Sequence, residues 1–520
     1  MQSVMKHQFS RVPQAEIQRS QFDRSHGLKT TFDASYLIPI FCDEALPGDT
    51  FNLNMTGFAR LATPIKPLMD NLYMETFFFA VPNRLLWENW EKFNGSQDTP
   101  GDSTEYTVPK IDQLVPIEEN TLSDYMGLPI GVDGFKFNAL HHRAYNLIWN
   151  EWFRDQNLQD PVDEITTDSD QSPLVYELLK RGKRHDYFTS CLPWPQKGEA
   201  VAVPLAGTAP VVPLSAAATP SFQNPAETQP MLLRTRQGTD LVGNGVVAVG
   251  DNVMQWDDPQ LVAQISAGAL DVNAIREGFQ LQKMLEKDAR GGTRYTEVIR
   301  AHFGVTSPDS RLQRPEYLGG GSSPVTINPV AQTNNTDPQG TTPQGNLAAI
   351  GTANLNRHGF TKSFTEHCTI IGLINVRADL TYQQGINRMW SRDTRYDYYW
   401  PSLAQIGEQA VLNKEIWVQG NSIDEEVFGY QERFAEYRYK PSLITGEFRS
   451  QAPQSLDVWH LSQEFEDLPT LSSEFIEENV PLDRAIAVTS EPHFLFDAYF
   501  DYKCARPMPL YSVPGNMDRF

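Results

Sequence analysis

The stretch FLFDAYFDYKC (494–504) decides the fold. Phe494, Phe496, Ala498, Phe500, Tyr502 and Cys504 alternate with Leu495, Asp497, Tyr499, Asp501 and Lys503. Six apolar positions at period two mark a strand with one face in a core and the other in water or an interface. A second stretch, LYMETFFFAV (72–81), is apolar without alternation and suits a strand buried on both faces. Further strands are expected over 31–41 and 50–55, separated by the turn Pro47-Gly48-Asp49, and over 368–382 and 432–440.

Three helices are expected between the strands. The first starts at Asn83 as cap, places Leu86, Trp90 and Phe93 on one side, and stops at Gly95. The second covers 138–154, with Leu140, Ala144, Ile148 and Trp152 as its stripe. The third covers 271–289, with Asp271 as cap, Ile275, Phe279 and Leu285 inward, and Gly291-Gly292 as the stop. Long irregular stretches separate them, which excludes the regular βα spacing of a doubly wound sheet. Residues 201–262, rich in Ala, Pro, Val, Thr and Gly with a hairpin signal at Asn244-Gly245, and 319–346 read as loops. Loops beyond about 15 residues are uncommon unless they have a function. The pattern predicts an all-β sandwich with long, partly helical insertions.

The 520 residues carry 43 Lys plus Arg against 65 Asp plus Glu, a formal charge of −22, and 40% are hydrophobic, which is a globular composition. Such an acidic chain is not a general nucleic-acid binder, because that binding is driven by counterion release against cations. The charge is uneven, however. Residues 1–30 hold Lys6, Arg11, Arg19, Arg24 and Lys29 against Glu16 and Asp23, a local +3 that leaves −25 on the remaining 490. They are polar, show no lasting stripe, and are expected to form an extended arm. The four cysteines, at 42, 191, 368 and 504, form no CxxC pair and suit free buried thiols. No secretory signal is expected at the start, and the uncharged run 200–226 contains five prolines that preclude a spanning helix, so the chain reads as soluble.

Catalytic signals are absent from the sequence: it has no GxxxxGK[ST], HExxH, GxSxG or EF-hand loop. Asp497 with Asp501 and Lys503 resembles a nuclease set but reads as the wet face of the strand at 494–504. Asp163, Glu164, Asp168 and Asp170 offer oxygens to Ca²⁺, yet read more simply as a solvated loop. His367 and Cys368 point to opposite sides of a strand and make no nucleophile pair. No enzyme, metal or cofactor is expected. The cluster Lys180, Arg181, Lys183 and Arg184 follows a helix end expected at Leu178-Leu179, where cations are favoured anyway. The interleaved rings and cations from Tyr382 to Trp400, with Arg388, Trp390, Arg392, Tyr396 and Tyr399 among them, offer stacking to bases but match buried protein–protein contacts better.

The blocks AEIQRSQFDRSHGLKTTFDASYLIPI (15–40), PIKPLMDNLYMETFFFAVPNRLLWENW (64–90), KRHDYFTSCLPWPQKG (183–198), VRADLTYQQGINRMWSRDTRYDYYWP (376–401) and SEPHFLFDAYFDYKCARPMPLYSVPG (490–515) make the chain recognisable. With three further blocks they span nearly its whole length. The chain resembles the major capsid proteins of the gokushoviruses, small single-stranded DNA bacteriophages of the microvirus family. The resemblance implies an eight-stranded viral jelly-roll β-sandwich over 31–520, in a T=1 icosahedral shell of sixty copies around circular single-stranded DNA. It implies assembly in the host bacterial cytoplasm, a small basic DNA-binding phage protein and a minor capsid or pilot protein as partners, and a bacterial surface receptor. Residues 201–262, which resemble the family least, are the candidate threefold protrusion, with Val212, Phe222 and Asn244 as candidate host contacts. The five cations of 1–30 become the candidate DNA contacts. If all engaged, the salt slope would be roughly −4 on a log–log plot.

Overall fold

The computed structural model describes residues 18–103, 105–199, 201, 272–305, 313–333 and 344–511, with the backbone of six short strands between 211 and 263. Nine strands form one antiparallel sheet: β1 (Ser20–Asp23), β2 (His26–Phe32), β3 (Ile38–Ala45), β4 (Thr50–Leu61), β5 (Leu72–Pro82), β6 (Glu316–Ala331), β7 (Leu347–Ser363), β8 (Cys368–Ala378) and β9 (Phe494–Arg506). Hydrogen bonds run in the order β1-β9-β4-β7-β6-β5-β8-β3. The short strands β1 and β2 share one side of β9, at 503–506 and 494–500 respectively.

The alternation in β9 is realised residue by residue: Phe494, Phe496, Ala498, Phe500, Tyr502 and Cys504 are buried, and the intervening residues are exposed. Opposite them, β4 turns Phe51, Leu53, Met55, Ala59 and Leu61 inward. Gly57 completes that row because a Cβ there would lie 3.0 Å from the Phe496 ring. The sheet curls around this row. Phe41 on the edge strand β3 lies 5.4 Å, centroid to centroid, from both Phe500 and Tyr502 on β9, although the two strands are far apart in the hydrogen-bonding order.

The expectation for β5 is also met. Leu72, Met74, Phe78 and Ala80 join the inner core. Phe79 and Val81 face the other way, into a second core shared with Ile371 and Leu373 of β8. Trp87, Tyr145 and Trp149 close that core from the insertion, where Tyr145 lies on α1 (Leu140–Ile148). Burying side chains of this size contributes about 1.5–3 kcal/mol each, so an insertion carrying several of them is an integral layer.

Several expectations fail locally, each for a visible reason. The helix from Asn83 is two single turns, Asn83–Leu86 and Trp90–Phe93; Asn83 does not cap it, because its Oδ1 accepts from the Thr369 hydroxyl at 2.9 Å. The helix over 138–154 ends as α1 at Ile148 and continues as a wider π turn, Trp149–Phe153, which rotates Trp152 off the buried stripe. The strand over 432–440 stops at Glu432, since Phe434 is left-handed at φ 61° and opens a 3₁₀ turn. No helix ends at Leu178-Leu179; after a single 3₁₀ turn, Pro173–Val175, the segment is extended, with bridges from Tyr36 to Lys180 and from Gly182 to Glu477. Ser20 onward, expected to belong to the arm, is already part of the sheet.

Residues 196–290 form a compact unit of their own. Within it the short strand Met231–Thr235 pairs with Ser221–Gln223 and Leu241–Gly243, and Val211–Pro213 pairs with Leu261–Ala263. Its helix α2 (Val272–Arg290) meets the expected span, but Phe279, expected inward, is 70% exposed, and Asp271 lies outside the described residues.

Candidate functional site

The cations of the N-terminal segment have different employments. Lys6 and Arg11 lie outside the described residues. Arg19 is exposed and donates to the Thr50 hydroxyl at 2.8 Å and, at 3.4 Å, to the Ala505 carbonyl. Arg24 sits where the chain steps from β1 to β2. Its guanidinium donates twice to Asp43 of β3, at 2.5 and 2.9 Å, and lies 5.1 Å from the Tyr502 ring centroid. Tyr502 donates to the same carboxylate at 2.6 Å, and burial with the nearby Asp43 charge pushes its phenol upward. This bidentate pair ties β3 to the opposite end of the curled sheet. Lys29 points to solvent, 3.4 Å from Asp497, which is also exposed, and the pair is worth little in stability. Asp497 and Asp501 lie on the exposed face of β9, the plain reading of that apparent nuclease set.

The aromatic segment 388–400 divides in the same way. Arg388 donates to the Ala410 carbonyl at 2.7 Å and to the buried Glu415 at 2.9 Å. Arg392 pairs with Glu436 at 3.3 Å and lies 4.3 Å from the centroid of Tyr437. Both arginines are tie-bars within the chain. The rings are presented outward: Trp390 is 76% exposed, and Tyr396, Tyr398, Tyr399 and Trp400 are exposed beside it. Tyr399 is braced edge-on by Phe434 at 5.4 Å, so the rings rest on an ordered base.

The cluster 180–184, expected at the surface, is partly drawn inside. Arg181 pairs with Glu75, and burial of that carboxylate is outweighed by Arg181 and Arg377, which hold it below the usual range. Lys183 donates to Gln463 at 2.9 Å and lies 4.1 Å from the Phe475 ring centroid; burial lowers its ammonium to about 8. Close by in charge, Glu478 is buried, accepts from the Ala378 amide at 3.0 Å, and is raised to about 8 by that burial. Sequence reasoning missed this network because its members are hundreds of residues apart.

The backbone of Val212 and Phe222 lies in the short strands of the 196–290 unit, while Asn244 is outside the described residues. The acidic loop is used internally: Asp168 accepts from the Trp87 indole and from Asn89, and Asp170 pairs with Lys136 at 2.8 Å. Among the described residues no group of three or more His, Cys, Asp or Glu is placed to hold a metal. No helix among them is long and apolar enough to cross a membrane.

The described residues thus form a mostly β protein, built on a large curled antiparallel sheet with helical insertions and outward-facing rings. The comparison with protein families makes this specific: the chain belongs to the capsid protein (F protein) family, whose model matches residues 10–516. It is 47% identical to the capsid protein VP1 of Bdellovibrio phage phiMH2K, over 99% of this chain and 98% of that one. Identity is 44% to VP1 of Chlamydia phage 1 (99% and 98% covered) and 38% to VP1 of Spiroplasma virus 4 (98% and 97%). It is thus a major capsid protein of the microvirus type, a non-enzymatic component of the virion whose partner is further copies of itself.

Proposed function

We propose that this chain is the repeating unit of a T=1 icosahedral shell of sixty copies that encloses circular single-stranded DNA, on a jelly-roll frame. The observation that carries the assembly reading is the ordered aromatic segment. Trp390, Tyr396 and Tyr399 stand exposed on a base locked by Arg388 and Arg392, the composition and rigidity of a subunit contact. The curled sheet supports the jelly-roll reading, with β3 and β9 facing one another across the core.

The N-terminal segment is the proposed contact to the genome, through Lys6, Arg11, Arg19 and Lys29; Arg24 serves sheet closure in the same segment. So few cations do not neutralise a genome, and a small basic phage protein is proposed to complete that work, alongside a minor capsid or pilot protein. Residues 201–262, within the separate 196–290 unit, are the proposed threefold protrusion and host-receptor contact, with Val212, Phe222 and Asn244 as candidates. Assembly is proposed to occur in the host bacterial cytoplasm.

The test is Trp390→Ala with Tyr399→Ala in the full chain. A folded subunit that no longer forms shells supports the reading, whereas normal shells remove the segment from the contact.

A further inference from the structure

A cleft of about 640 Å³ opens on the side of the sheet that faces the insertion, within the range of sites that hold a small ligand. Its floor is aromatic. Phe77 and Phe79 of β5 meet Phe153 edge-on at 5.4 and 5.9 Å, and Tyr317 of β6 lies 5.6 Å from Phe79. Trp152 lies 6.1 Å from Tyr317 and donates its indole N–H to the Pro315 carbonyl at 2.8 Å. Trp152 is 37% and Tyr317 43% exposed, so both rings offer free surface although the floor beneath them is packed. Trp152 is there because of the π turn; a continued α-helix would have left it on the buried stripe.

The rim is cationic. Arg154, Arg181, Arg294 and Arg377 line the cleft, and Arg314 lies 4.5 Å from the Trp152 ring centroid. Arg181 and Arg377 share a single carboxylate, Glu75, and Arg294 pairs with Glu151 at 3.5 Å and Glu297 at 3.3 Å. Among the described residues, Arg154 and Arg314 have no carboxylate within ion-pair distance. Asp155 is the carboxylate in the lining, and its Oδ1 accepts from the Asn157 amide at 2.8 Å.

We propose that this cleft binds a nucleotide unit of single-stranded DNA, its base packed against the exposed surface of Tyr317 beside Trp152 and its phosphate held by Arg154 and by Arg314, whose guanidinium lies over the Trp152 ring. Open rings beside guanidiniums are the arrangement by which proteins bind single strands without reading sequence. The inference rests on the reading that the shell encloses single-stranded DNA, and adds a second contact to it, remote in sequence from the N-terminal segment.

The test is fluorescence anisotropy of a labelled oligothymidylate with the full chain, against an abasic oligomer of equal length and against thymidine monophosphate as competitor. The oligothymidylate is expected to bind about tenfold more tightly than the abasic strand, since the abasic strand has no base to stack. Tyr317→Ala should abolish that difference, and Tyr317→Phe should keep it. Equal binding of the two oligomers to the unaltered chain overturns the proposal without any variant. Preferential binding of the monophosphate over the strand overturns it too, in favour of a free nucleotide. The DNA content of particles is measured in parallel. Particles that protect single-stranded DNA while the chain ignores the base sink the cleft alone; empty particles sink the enclosure reading.

Discussion

Arg24 and Glu478 show two ways in which the chain builds ionisable groups into its structure, one as a paired charge and one as a buried carboxyl. Arg24 joins the two ends of the curled sheet through Asp43, which is largely buried. Replacing it with Met removes a bidentate, charge-assisted contact and leaves Asp43 short of donors. A loss of about 1–3 kcal/mol is expected in urea unfolding of the subunit, and an unchanged midpoint would deny Arg24 this role. Glu478 predicts a pH response. Its carboxyl titrates near 8 in the folded chain and near 4.5 when unfolded, so the folded state holds an extra proton between those values. Its stability contribution is therefore full below about 4.5 and is lost as pH rises through about 8. Lys183, lowered to about 8 by burial, has the opposite sense above that pH. Burial holds His141, His142 and His358 below the usual imidazole value, which contributes in the opposite sense up to about 6.5, so the comparison is with a variant. From pH 5 to pH 8 the unfolding temperature of the unaltered chain should lose ground against that of Glu478→Gln, and parallel profiles would contradict the assignment. Little of this was legible in the sequence. Arg24 read as one free cation among five, because nothing local marks Asp43 as its partner.

At the scale of elements, the reading succeeded where one physical demand dominates a whole segment. The period-two row of β9 must face one core, and the unbroken run of β5 must be covered twice. Substituting Phe496 and Phe500 with Asp places two carboxylates in the closed core and should abolish soluble, folded protein; assembled protein from that variant would show that the register is wrong. The reading failed where a distant partner overrides local preference. Thr369 takes the oxygen that Asn83 would use as a cap, and left-handed Phe434 ends a strand that composition would have continued. The 138–154 helix shows the mixed case. Its first turns follow the stripe, while the π turn at its end re-aims Trp152 and creates the open ring of the cleft. In the segment 388–400 the interleaving of rings and cations was legible, but not the division of labour in which the arginines bond within the chain and the rings stand exposed.

The whole molecule is a curled sheet with the second core built against its other face, and a separate 196–290 unit. The proposed subunit contact belongs to the first part, because the exposed aromatic segment lies there. Replacing 205–262 with a short linker is expected to spare assembly and abolish attachment to host cells; normal attachment would refute the receptor role. Removing residues 1–17 ends before β1 and should leave the sheet intact while lowering DNA content. Particles with full DNA would remove that segment from the genome contact. The most direct measurement is electron microscopy of particles from infected cells, with nuclease-protected nucleic acid assayed in the same sample. Uniform icosahedral shells of sixty copies holding circular single-stranded DNA are the predicted result. A shell of different copy number, or shells without protected DNA, would contradict the account.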